Sequence, residues 1–122
     1  MKRKIVGIEN GVVSIPKSGE IKMTASEIAS LFDVYVREIY NHAKAIMKSG
    51  VIHVDVSVPA IVIGNSVMPD VYGLEMIIAF AFRIQSHKAE VFRNWIMRKM
   101  VANTAGQQIL MNILWNDKAF LN

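Results

Sequence analysis

The spacing of apolar residues changes several times along the chain, and each change marks an element. Two β-branched stretches, Ile5–Ile8 and Val12–Ile15, flank Asn10-Gly11. A type I′ turn needs positive φ at both central positions, which Asn and Gly adopt most readily. Residues 4–15 therefore predict a β-hairpin. Pro16 to Gly19 reads as a turn and Ile21 to Met23 as a short extended lead-in. From Thr24 the period becomes helical. Thr24 and Glu27 form a capping-box pattern, and Ile28, Leu31 and Phe32 supply the apolar face. Asp33 to Tyr35 interrupts it. A second helix is predicted from Val36 to Ser49, stopped by Gly50.

Beyond Gly50 the pattern alternates. His53 to Val58 places polar and apolar residues in turn, as a half-buried strand does, and Pro59 ends or edges it. Ile61–Ile63, Gly64-Asn65 and Ser66–Met68 predict a second hairpin, closed by Pro69 and Asp70. Two helices are then expected. The first, Leu74 to Ile84, is apolar nearly all round and should be buried on most sides. Ser86 caps the second, which reaches Met100 with Phe92, Trp95 and Ile96 on one face. Thr104 with Gln107 repeats the capping box and opens a last helix, striped by Ile109, Leu110, Ile113 and Leu114. The expectation is one α+β domain over 1–122. Residues 1–23 form the first hairpin and lead-in, 24–72 a winged-helix-like core, and 73–122 a helical C-terminal half.

Composition narrows the classes. There is no cysteine, which excludes disulfides and thiolate metal sites. The longest apolar run, Met76 to Phe82, is far short of the roughly 20 residues of a membrane span. Glu9 and Asn10 interrupt the apolar stretch a signal peptide would need. A cytoplasmic protein without a membrane partner is the expectation. The net charge of +4 is unevenly spread. Residues 1–50 carry eight Lys/Arg against five Asp/Glu, residues 51–82 none against three, and residues 83–122 six against two. Two basic regions flank an acidic, apolar middle, which is compatible with nucleic acid.

The stretch with most chemistry is Thr24 to Ile46. A helix-turn-helix needs a small residue where its helices cross, and Ala29 supplies one. Ile28, Val34 and Ile39 fall at the intervals that lock the pair together. Asp33 takes the turn position often held by glycine; Asp adopts the left-handed conformation, though less easily. In such a motif the N-terminal part of the second helix meets base edges in the major groove. Opposite Ile39, Ala43 and Ile46 lie Arg37, Tyr40, Asn41, Lys44 and Lys48, on one helical stripe. Arg suits guanine, Asn suits adenine, and lysines neutralise phosphates. A solvated face or a protein contact is the other reading of the same stripe. The hairpin after the motif sits where a wing would be, but it holds no Lys or Arg. Its apolar content predicts packing on the domain or on a partner.

Other chemistry is thin. His42, His53 and His87 have no neighbours at metal-ligand spacing, and no phosphate loop or carboxylate pair stands out. No catalytic residue, metal or cofactor is expected. Phe92 and Trp95 read as core, and Arg83 and Arg93 as residues that bond helix ends or acids within the fold.

The segment Tyr72 to Ile96 resembles the signature of the RhuM-like family of bacterial mobile elements and pathogenicity islands. Leu74, Ile77, Ile78, Phe82, Arg83, Ile84, Ser86, Phe92, Arg93 and Trp95 carry the likeness. Upstream, Met23, Thr24, Glu27, Ile28, Ala29, Leu31, Phe32, His42, Lys44 and Ile46 match as well. The last part is similar to the N-terminal domain of Bro-type phage antirepressors. The resemblance spans roughly Ile21 to Met100. It departs at Ala81-Phe82, where relatives often have Gly-Tyr, and in the apolar Val51–Met68 segment, which is Lys-rich in many of them. It implies a mobile-element setting and a DNA-linked role rather than a reaction. Two functional expectations follow. One is a homodimeric regulator that binds double-stranded DNA. The other is a protein-protein interaction module, antirepressor-like or an accessory subunit, without DNA.

Overall fold

Asn10 and Gly11 both take positive φ, 52° and 77°, so the first turn folds as its sequence requires. The computed structural model describes residues 5–16, 20–50 and 60–101. Strands β1 (Gly7–Glu9) and β2 (Val12–Ser14) pair antiparallel around that turn, with Glu9 opposite Val12. Ile8 and Val13 face each other and are buried; Val12 points out. Helices α1 (Ala25–Phe32) and α2 (Val36–Ser49) follow, joined by a three-residue turn. Strands β3 (Ala60–Ile63) and β4 (Ser66–Pro69) form a second antiparallel hairpin. Gly64 takes φ 60° at its first turn position, as a type II′ turn needs. Helices α3 (Leu74–Arg83) and α4 (His87–Val101) complete the described chain. The fold is α+β.

Helix α1 starts where its capping box lies. Thr24 Oγ1 accepts from the Glu27 N–H at 3.2 Å, and the Glu27 carboxylate accepts from the Thr24 N–H at 2.8 Å. Two otherwise orphan donors are thereby satisfied. The lead-in pairs across the chain: Met23 and Tyr72 exchange backbone hydrogen bonds of 3.0 and 2.8 Å. This bridge ties the entry of α1 to the entry of α3.

Helix α3 is the centre of the core, as its all-round apolar sequence predicts. Six consecutive residues, Met76 to Ala81, are buried. It packs against α2 and α4, while α4 also meets α1 and β2. Phe32 and Phe92 meet edge to face with ring centroids 5.7 Å apart, and Tyr72 and Phe80 do so at 5.5 Å. Each fully buried Phe or Ile stabilises the fold by about 1.5–3 kcal/mol through removal from water.

The second hairpin divides its apolar residues between two faces. Met68 is buried, and Ile61 and Ile63 pack partly against the core. Val62 and Val67 oppose each other in register and stay 71% and 69% exposed. The expected packing on the domain thus holds for one face only. The strand read over His53–Val58 and the helix read from Thr104 lie outside the described residues.

Arg93 performs the role expected of it. Its Nη1 donates to the Ala81 carbonyl at 2.7 Å and the Ile84 carbonyl at 2.9 Å. These are carbonyls at the C-terminal end of α3, which lack partners within the helix. The next helix opens on Ser86, whose Oγ accepts from the Ala89 N–H at 3.1 Å.

Candidate nucleic-acid interface

The turn before α2 sets how the helix is presented. Asp33 lies in the left-handed region at φ 60°, ψ 47°. Its N–H reaches the Ala29 and Ser30 carbonyls, and the Val34 N–H donates to the Ala29 carbonyl at 3.0 Å. Asp33 does there what a glycine does in other turns of this kind. Ala29 is 5% exposed, a small buried side chain on a helix that packs on α2.

Helix α2 has one buried edge and one open face. Ile39, Ala43 and Ile46 are fully buried, at the i, i+4, i+7 spacing of a core stripe. Arg37, Asn41, Lys44 and Lys48 are exposed. At a rise of 1.5 Å per residue, these four cover about 16 Å of helix. The exposed side chains of α2 include three cations and no carboxylate. Lys48 also lies in the last turn, where a cation complements the helix dipole. Gly50 then ends the helix at φ 75°.

Tyr40 differs from the sequence expectation. It is half-buried against the core rather than presented with its neighbours on the stripe. It approaches Tyr72, whose pKa is pushed up to about 12, by burial first and by Tyr40 second. The Tyr72 hydroxyl is buried and finds no hydrogen-bond partner among the described residues.

His42 likewise turns away from the open face. Its Nδ1 accepts from Arg83 Nε at 3.3 Å, a bond that joins α2 to α3. Burial holds the imidazole below its usual pKa of 6.5; Arg83 acts in the same direction and Glu38 against it. A neutral acceptor nitrogen is what the Arg83 donor requires.

One exposed residue at this site escaped the stripe analysis. Tyr35, the residue before α2, is 78% exposed, and Val36 beside it is exposed as well. Counting by helical period starts inside the helix and so passes over its cap. Among the described residues no group of His, Cys, Asp or Glu could hold a metal ion. No helix of the described residues is long and apolar enough to cross a membrane. The chain has no match among protein-family models, characterised proteins or solved structures.

Proposed function

We propose that the chain binds double-stranded DNA through the open face of α2, as a cytoplasmic, homodimeric regulator of a mobile element. The carrying observation is the exposure of Arg37, Asn41, Lys44 and Lys48 on one stripe of α2, behind a tight turn, with the half-buried Glu38 as the one acid of the helix. Arg37 and Asn41 lie in the first half of α2 and suit guanine and adenine edges; Lys44 and Lys48 suit phosphates. The hairpin β3–β4 offers no cation to a backbone phosphate, so α2 and not a wing supplies the contact. Two α2 helices about one DNA turn apart need a two-fold dimer, and the apolar stripe of Ile109, Leu110, Ile113, Leu114 and Trp115 in the sequence is the candidate for that pairing. The setting comes from the likeness to RhuM-like proteins.

A gel shift with a random duplex at low and moderate salt tests the proposal. Binding that weakens steeply with salt supports it, and no binding at low salt refutes it. The exposed Val62–Val67 pair favours a second reading, in which the hairpin meets another protein. That reading gains if DNA is not bound.

A further inference from the structure

His42 is half-buried on the flank of α2, between the buried edge of Ile39, Ala43 and Ile46 and the open face that carries Asn41 and Lys44. Its Nδ1 accepts from Arg83 Nε at 3.3 Å. Arg83 is the last residue of α3, and that end of α3 is itself held. Arg93 of α4 donates to the Ala81 and Ile84 carbonyls on either side of it. Helix α2 is thus tied, one residue away from Asn41, to a fixed point of the core. Apolar packing resists separation but is non-directional, whereas a hydrogen bond weakens steeply off its axis. The Arg83–His42 bond therefore fixes the attitude of α2 in a way that Ile39, Ala43 and Ile46 do not.

Few charged groups among the described residues surround this bond. Helix α2 packs against α1 and α3. Helix α3 brings Arg83 and, at its opposite end, the exposed Glu75; α1 brings Glu27, engaged with Thr24. The turn between α1 and α2 adds the exposed Asp33. On α2 itself Arg37, Lys44 and Lys48 lie on the open face, and Glu38 lies one turn before His42. Of all these, Arg83 and Glu38 act on the imidazole. Both nitrogens of a protonated imidazole are donors, so a proton on His42 ends the bond and sets two cations side by side. We propose that Arg83–His42 is a proton-operated latch on α2: closed, it holds Arg37 and Asn41 in the attitude that reads base edges, and a proton on His42 opens it. The inference rests on the DNA reading and adds regulation by pH to it. The cations of the open face attract phosphates in either state, so the latch governs discrimination between sequences rather than retention on DNA.

The readout is a ratio of affinities. A random duplex pool is enriched on the wild-type protein at pH 7.5, and an enriched duplex is compared with a scrambled one of the same length at pH 7.5 and 5.5. A protonated imidazole also adds a cation, but that charge favours both duplexes alike and cancels in the ratio. Loss of one directional bond should lower the wild-type ratio about three- to tenfold at pH 5.5. In His42→Asn the amide oxygen lies about where Nδ1 was and accepts without titrating. Its ratio should be the same at both pH values. His42→Gln, with a longer amide, is the second variant and carries the same expectation; a thermal melt at each pH shows that each protein is folded. A wild-type ratio that holds or rises at pH 5.5, or an equal fall in both variants, would overturn the latch and leave the DNA reading standing. Equal binding of every duplex at pH 7.5 would do the same, since no discrimination would exist to be governed. Failure to bind any duplex at low salt would overturn both.

Discussion

Arg83 donates from Nε to His42 Nδ1 at 3.3 Å, joining α3 to α2 across 41 positions of sequence. The imidazole can accept only while neutral. Protonation would remove the acceptor and set a second cation beside the guanidinium. Burial first, and Arg83 second, lower the folded pKa from 6.5, with Glu38 opposing. Since the unfolded chain then binds the proton more readily, this contribution to stability is present above pH 6.5 and is lost as pH falls towards the lowered value. The melting temperature should drop between pH 7.5 and 5.5 more in the wild type than in His42→Gln. Parallel pH profiles for the two proteins would show that His42 is not the group responsible.

Arg93 should matter for stability rather than for binding. Arg93→Ala leaves the Ala81 and Ile84 carbonyls without their charged donor. Loss of such bonds costs about 2 kcal/mol. Urea denaturation should show a lower midpoint with an unchanged slope. A shift under about 0.5 kcal/mol would mean that water replaces the guanidinium there.

The turn at Asp33 predicts unequal outcomes for two substitutions. Asp33→Gly relieves the left-handed backbone at φ 60° but adds chain entropy, so it should change stability by less than about 1 kcal/mol. Asp33→Val puts a β-branched residue into that conformation and should cost more than about 1 kcal/mol. Equal melts for the two variants would show that the turn rearranges.

Ala29 is buried on α1, which packs on α2, and its carbonyl closes the turn. Ala29→Leu should lower stability by about 1–3 kcal/mol by overpacking this contact. A thermal melt matching the wild type would remove Ala29 from the helix crossing.

These elements differ in how far ahead of the structure they could be read. Local chemistry carried well: Thr24 with Glu27, Asn10-Gly11 and Gly50 each act through residues within a few positions, so spacing alone reports them. Helix α3 was equally plain, because six adjacent buried residues leave no polar edge. What spacing cannot report is which distant side chain fills a gap. Tyr40 lies on the predicted stripe by period but packs partly against the core. His42 finds Arg83 only because α3 packs beside α2. Tyr35 was passed over because it precedes the first helical residue. The split of the second hairpin into a packed and an exposed face depends on what lies beneath Ile61 and Met68, and periodicity within the hairpin does not reveal it.

The most direct measurement is the slope of log affinity against log salt, for wild-type protein and for Arg37→Ala/Lys44→Ala/Lys48→Ala on the same duplex. All three side chains are exposed on α2, so the variant should retain the wild-type melting temperature. If they neutralise phosphates or hold base edges on DNA, affinity should fall about tenfold or more and the slope should shrink by about 2. Unchanged affinity and slope in a folded triple variant would contradict DNA binding through α2.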